Sequence, residues 1–282
     1  MAIVTLTTDL GLTDYYVAVL KANLLHAKPI PTIVDISHQI RPFDILHASF
    51  TIKASYKEFP ENTIHIIGIN SEPVINATNG MYPSIMYFEK QYFIATDNGI
   101  FELILEGKKP EGLWRIDNVL SNPKAAHFQT KNIFVPTAIK LLEGTKISDF
   151  ASEETSWNIA HTLTAVVAEN VIKGTVIHID HYGNIITNIT KEQFNQFGDI
   201  PFSIRFRKRE YHIDTISNSY SDVQAGERVA FFNDTNLLEI AINKGVSRNG
   251  GGASSLLGLH IDDSIRIEFT PRGSADTIAS LF

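Results

Sequence analysis

Apolar residues in the first half of the chain alternate between short unbroken runs and stretches spaced for one face of a helix. "AIVTLTT" (residues 2–8) is a compact, β-branched run and predicts a strand. "DYYVAVLKANLLHAKP" follows, with Val17, Leu20 and Leu24 at helical spacing, Thr13 placed to cap a helix and Pro29 to stop it. "PTIVDIS" predicts the next strand. Ile45, Ser49, Ile52, Tyr56 and Phe59 then mark a second helix ended by Pro60. "TIHIIGI" is almost wholly apolar, as a strand covered on both faces must be. This β-α-β-α-β order predicts a mostly parallel sheet. "SIMYFEKQYFIATDNG" reads as two strands around a Glu-Lys turn, and "NIFVPTAIKLLEG" as a helix closed by Gly144.

The texture then changes. "SDFASEETSWN" is polar and acidic and reads as a linker. Beyond Thr162 nearly everything is alternating β: "GTVIHIDHYGNIITNI", "FSIRFRKREYHID", "ERVAFFNDTNLLEIAIN" and "DSIRIEFTP". "SRNGGGASS" is a glycine-rich loop or short helix start. The expected fold is an α/β N-terminal domain with a mostly parallel sheet over residues 1–160, a linker at 161–172, and an all-β C-terminal barrel domain over 173–282.

Composition narrows the partners. The 282 residues carry a formal charge of −7, which argues against a nucleic-acid backbone but not against a small cationic ligand. There are no cysteines, which excludes disulfides, thiolate zinc sites and a cysteine nucleophile. No basic-then-apolar leader and no spanning apolar run is visible, so the chain reads as cytoplasmic, with no membrane partner. The histidines form no metal-ligand spacing and no G-x-S-x-G is present, so neither a metal nor a serine nucleophile is expected.

Two stretches carry candidate chemistry. In "TTDLGLTDYY" the first strand runs out at Asp9, with Asp14 and Tyr15 close behind, yet no glycine-rich phosphate cradle is present. A carboxylate there can accept from two adjacent hydroxyls, the grip used on a ribose. Equally, Asp9 suits a turn, and Asp14 an early helix position favoured by the dipole. In "DHYGNIITNI", Asp180, Tyr182 and Asn184 surround Gly183. The Tyr ring can stack and the Asn amide can read a purine edge, or the whole is a hairpin with a left-handed glycine. "NSEPVINATNG" follows the third strand, at the sheet's ligand-binding edge, and "HFQTKN" precedes a helix, where its amides and Lys131 can meet an anion. "TDNG" reads as a tight turn, and His127 as a surface histidine.

Taken together, "TDLGLTDYYVAVLKA", "VDISHQIRPFDILHASF", "TIHIIGI", "TDNG", "IFVP", "GTVIHIDHYGNIITNI" and "NLLEIAIN" resemble the S-adenosylmethionine hydroxide adenosyltransferases and their relatives, the fluorinase and chlorinase. The resemblance covers nearly the whole chain. It implies homotrimers holding S-adenosylmethionine between the N-domain of one subunit and the C-domain of the next, with no separate cofactor. It implies that Asp9 grips both ribose hydroxyls and that Phe43 is the pocket aromatic. It also implies that Asp14 and Tyr15 lie on the substrate side, and that Asp180, Tyr182 and Asn184 face the methionine amine and adenine. The chemistry implied is substitution at C5′, with methionine leaving as a neutral thioether.

The same resemblance exposes departures. Hydrolytic members activate water with an Asp, an Arg and a His. Here Asn70 stands for the Asp, no Arg follows it before Gly80, and Gln129 stands for the His. Asn and Gln orient water but do not take its proton near neutral pH. Thr130 occupies the position where halogenases place Ser or Gly, but the insertion typical of the fluorinase is missing. The sequence therefore leaves four readings: a hydrolase of altered mechanism working through Asn70, Gln129 and Thr130; a degenerate S-adenosylmethionine or adenosine binder; a halogenase; and a structural trimer. Glu72, His127 and Lys131 are substitute groups if the loops depart from the family's.

Overall fold

The computed structural model describes residues 2–74, 80–117, 127–162, 164–206, 212–245 and 251–270. Part of "NSEPVINATNG" (75–79), part of "FRKREY" (207–211), one linker position (163) and the start of "SRNGGGASS" (247–250) lie outside them. Contacts divide the chain into two compact units after Thr162.

The first unit runs β1 (Ile3–Thr8), α1 (Tyr16–Leu24), β2 (Thr32–Ser37), α2 (Ile45–Lys53), β3 (Ile64–Gly68), β4 (Pro83–Phe88), β5 (Gln91–Thr96), α3 (Ile100–Leu105), β6 (Gly112–Ile116), α4 (Val135–Leu142) and β7 (Ala151–Glu153). Its seven strands lie in the order β2-β1-β3-β5-β4-β6-β7. The pairings β2–β1–β3–β5 are parallel and the rest antiparallel, which points all strands but β4 and β7 the same way. The chain steps outward from β1 to β2 and returns past β1 to β3. The β1–β3 boundary is therefore a topological switch point, the crevice where open α/β sheets bind ligands.

Side-chain alternation sorts the core onto two faces. Val4, Leu6, Ile64 and Ile66 pack with Leu20 and Leu24 of α1 and Ala138 of α4. Ile67, Met86 and Phe93 pack with Ala48 and Ile52 of α2 and Ile104 of α3. Burial on both faces is why β3 reads as an unbroken apolar run. The Glu89-Lys90 turn joins β4 to β5 with both residues left-handed (φ 47° and 62°), the twist a two-residue hairpin requires.

Three local expectations are corrected. The N-cap of α1 is Tyr15, not Thr13, and Asp14 precedes the first turn, outside the reach of the helix dipole argument. "SDFASEETSWN" is not a free linker. It supplies β7 and a strap in which Asn158 N–H donates to Asp97 Oδ2 (2.9 Å) and Trp157 Nε1–H to Glu102 Oε2 (2.6 Å). Residues 166–168 and 171–172, within the expected 161–172 linker, are strand.

The second unit runs β8 (Val166–Ala168), β9 (Val171–Ile179), β10 (Ile185–Thr190), α5 (Lys191–Asn195), β11 (Phe202–Arg205), β12 (His212–Ile213), β13 (Arg228–Phe232), β14 (Leu237–Ile242), α6 (Ala253–Leu257) and β15 (Ser264–Phe269). All its pairings are antiparallel, in the order β12-β11-β15-β9-β10-β14-β13 with β8 on β9. Its two ends approach each other: β12 contacts β13, and Ser217 N–H donates to Ala230 O (2.8 Å), so the sheet curls almost to a barrel. Ile172, Ile185, Ile240, Ile265 and Ile267 fill the interior.

Two buried titratable groups in the first unit pull stability in opposite pH directions. His65 accepts from the Thr5 hydroxyl at Nδ1 (2.7 Å) and contacts Gln91 Oε1 through Nε2. Burial pushes its pKa down to about 4. Its share of stability is thus complete above pH ~6.5 and is lost as pH falls toward ~4. Burial pushes the Asp97 carboxyl up to about 6, against the Asn158 and Gly99 amides. That group favours the fold below pH ~4 and weakens it as pH rises through ~6, by about 3 kcal/mol in total. Asp97→Asn is therefore expected to gain about 2–3 kcal/mol relative to wild type between pH 4 and pH 8 in urea unfolding. Parallel stability curves for the two proteins contradict this assignment.

Candidate functional site

The C-terminal ends of β1, β3 and β5 carry Asp9, Asn70 and Asp97 on adjacent strands. Asp9 comes first after β1, where the sheet stops supplying hydrogen-bond partners. Its Oδ2 accepts from the backbone N–H of Phe43 at 2.9 Å, across 34 positions of sequence. No described residue donates to Oδ1, so the carboxylate keeps acceptor capacity for two hydroxyls.

Phe43 sits in the turn that enters α2. Asp44 N–H closes this turn on Arg41 O (3.1 Å), and the Asp44 side chain caps the helix by accepting from His47 N–H (2.9 Å). Phe43 itself is left-handed (φ 63°) and its ring is 73% exposed. A bulky residue held at positive φ with its ring in solvent is local strain without a packing return. Tyr15 is also exposed, and Asp14 beside it makes no hydrogen bond or ion pair with any described residue. Tyr16 is different, since its ring meets Phe128 edge-on at 5.4 Å and so ties the first loop to the segment before α4.

That segment, Thr130–Phe134, is one turn of π-helix, a form that recurs at functional sites. Gln129 and Thr130 are buried at its start. Gly68, at the end of β3, leaves the space that Thr130 fills: a Cβ there would lie 2.5 Å from Thr130 Oγ1. Asn70 is left-handed (φ 44°), and its carbonyl accepts from Asn98 Nδ2 (3.0 Å). Thr96 Oγ1 likewise donates to Ser71 O (2.7 Å). "TDNG" is therefore a strap on the loop after β3 as well as a turn. Glu72 and His127 are exposed and Lys131 is half-buried.

In the second unit Asp180, Tyr182 and Asn184 share the turn between β9 and β10, with Gly183 left-handed (φ 85°) as the hairpin reading requires. Asp180 Oδ1 accepts from the amides of Tyr182 (2.9 Å) and Asn184 (2.8 Å), and Oδ2 from Asn184 Nδ2 (3.0 Å). The carboxylate is therefore mostly consumed in shaping its own turn. Gly252 backs this turn: a Cβ there would meet Tyr182 O at 2.2 Å. Tyr182 leaves its ring 57% exposed. Behind Asn184 stand two side chains that spacing gave no hint of. Tyr220 OH donates to the buried Glu239 Oε1 (2.5 Å), and Asn184 Nδ2 reaches Tyr220 OH at 3.4 Å. Burial first, and Glu239 second, push the Tyr220 hydroxyl's pKa up, so it stays a protonated donor. Their only advance signal was the fragment "NLLEIAIN", which contains Glu239.

Among the described residues no three His, Cys, Asp or Glu side chains gather as a metal site, and no helix is long and apolar enough to cross a membrane.

Comparison with known proteins returns one family. The SAM hydroxide adenosyltransferase N-terminal domain model matches residues 4–151, and its C-terminal domain model residues 174–266. A protein named (R)-S-adenosyl-L-methionine hydrolase from Methanocaldococcus jannaschii is 29% identical over 73% of this chain and 74% of its own. One of the same name from Thermus thermophilus is 25% identical over 87% and 93%. A fluorinase from an Actinoplanes species is 24% identical over 86% and 91%. The crystal structure of an uncharacterized conserved protein from Thermotoga maritima superposes with a TM-score of 0.81 at 27% identity, covering 94% of this chain and 99% of that one.

The strain at Phe43 gives a test of the site's local energetics. Phe43→Gly is expected to be about 1 kcal/mol more stable than Phe43→Ala, because glycine alone accepts the positive φ freely. Urea midpoints of the two variants check this; equal midpoints show that Phe43 carries no backbone strain.

Proposed function

Because this chain belongs to the SAM hydroxide adenosyltransferase family, we propose that it binds S-adenosylmethionine and hydrolyses it at C5′ to adenosine and L-methionine. The observation that carries this reading is the Asp9 carboxylate, held at the switch point by the Phe43 amide with its other oxygen open. A vicinal diol supplies the two donors that this carboxylate lacks. The exposed Phe43 and Tyr15 rings offer apolar cover for the nucleoside, and Tyr182 and Asn184 supply a stacking face and an amide for the base. The homotrimer and the cytoplasmic location belong to the same proposal.

In the step proposed, a water oxygen bonds to C5′ as the C5′–S bond breaks. The bonding pair moves to sulfur and cancels the sulfonium charge. The attacking water then loses its extra proton to solvent. Methionine leaves neutral at sulfur, so no acid is needed. What remains is alignment and desolvation of the water, which Asn70, Gln129 and the Thr130 hydroxyl are chemically able to provide by hydrogen bonding. None of them is a base at neutral pH, and this predicts slow turnover.

That same lack of a base favours a second reading, a catalytically degenerate binder of S-adenosylmethionine or adenosine. Halogenation is the weaker alternative, resting on the Thr130 hydroxyl alone. One experiment separates them: incubation with S-adenosylmethionine in isotopically labelled water, with and without halide, products read by mass. The expected result is adenosine carrying the label, formed at a rate reduced at least tenfold in kcat/KM by Asp9→Asn. Binding without product selects the degenerate reading. No product and no thermal shift with S-adenosylmethionine rejects both.

A further inference from the structure

Asp9 does not hold itself in place. The turn that carries it is fastened on both sides by one residue, His38, just past the end of β2. Before Asp9, the Thr8 hydroxyl lies 2.7 Å from His38 Nδ1. After Asp9, Gly11 N–H donates to the carbonyl of His38 at 2.8 Å. Ile40 N–H closes the same corner on Thr8 O (3.4 Å), and Leu10 N–H donates to Thr8 Oγ1 (3.4 Å). Thr8 is fully buried and His38 is 3% exposed, so neither touches a ligand directly and water does not compete for their contact.

The imidazole is itself oriented from behind. His38 Nε2 stands 3.1 Å from Asp35 Oδ1, close to the carboxylate though not aligned as a hydrogen bond. Lys21 of α1 donates to Asp35 Oδ2. Partial burial opposes the charge on Asp35, but Lys21 and His38 outweigh it and hold its carboxyl below the ordinary range. The anion attracts the ring's N–H to the Nε2 side. That leaves Nδ1 as the acceptor for the Thr8 hydroxyl, whose oxygen in turn accepts from Leu10. A polarised row thus runs Lys21, Asp35, His38, Thr8, Leu10, and it ends on the peptide that follows Asp9. Asp9's own contact comes from the opposite side, through Phe43 N–H, five residues after His38 on the same β2–α2 connection.

We propose that His38, acting through Thr8, is the positioning residue that sets the Asp9 carboxylate for recognition of a cis-diol ligand. The inference rests on the reading of Asp9 given above and deepens it. It makes the diol grip a property of the β1 and β2 ends together. A ribose-type diol must meet both carboxylate oxygens at once, so a small rotation of the turn forfeits one hydroxyl before it forfeits the ligand.

The test compares adenosine with 2′-deoxyadenosine by calorimetric titration on wild type, Thr8→Val, His38→Ala and His38→Gln. Wild type is expected to prefer adenosine by about 10- to 100-fold, the range for a hydrogen bond to a charged group. Thr8→Val keeps the volume and removes the hydroxyl, and its preference is expected to fall to within about threefold. His38→Gln, which returns an amide to the Thr8 hydroxyl, should recover part of what His38→Ala loses. A merely structural role weakens both ligands alike and leaves their ratio unchanged. A full preference retained in Thr8→Val therefore overturns the proposal while the Asp9 reading stands. A wild type that shows no preference overturns both.

Discussion

The hydrogen bond from Phe43 N–H to Asp9 is the contact on which the first unit's candidate site depends. It joins the end of β1 to the entrance of α2, two points that the sheet alone leaves as separate loops. It also consumes one acceptor of a carboxylate placed at the switch point between β1 and β3. An unpartnered Asp9 would be a solvated turn residue. With this bond it is a directed acceptor whose free oxygen has a defined direction.

The segment that leads into α4 is built on a different principle. Thr130 sits in the space left by Gly68, and a π-turn carries Gln129 and Thr130 into burial ahead of α4. Close packing fixes this segment; its buried polar side chains, Gln129 and Thr130, are neutral, and the half-buried Lys131 beside them is a cation, not a base. That suits a displacement whose leaving group needs no proton, because positioning and water exclusion then supply most of what the protein contributes. It suits poorly any reaction that depends on a strong base.

In the second unit the candidate binding residues also build the turn that carries them. Asp180 satisfies three donors of its own turn, which accounts for an aspartate there without any ligand. The same bonds hold Asn184, and Tyr220, whose hydroxyl donates to Glu239, engages its Nδ2 from behind. Its Oδ1 is left without a described partner. The hairpin and binding readings of this stretch are therefore not rivals.

Much of this was legible along the chain. Periodicity marked β1, β2, β3 and the two main helices, because buried strands and amphipathic helices write their environment into side-chain spacing. It also marked the turn from all-apolar to alternating strands that separates the two units. Fragment order pointed to the family, and with it to Asp9, Phe43 and Asn184. What spacing did not reveal was β7 within an acidic stretch, the π-turn at Thr130, and the contacts of His38, Tyr220 and Glu239. An edge strand buries little, so its residues need no apolar pattern. A π-turn is a packing defect that no local propensity encodes. The pairs Thr8–His38 and Tyr220–Glu239 lie 30 and 19 positions apart. Only the folded sheets bring them within bonding distance, since a side-chain hydrogen bond depends on three-dimensional proximity and leaves no period in the sequence.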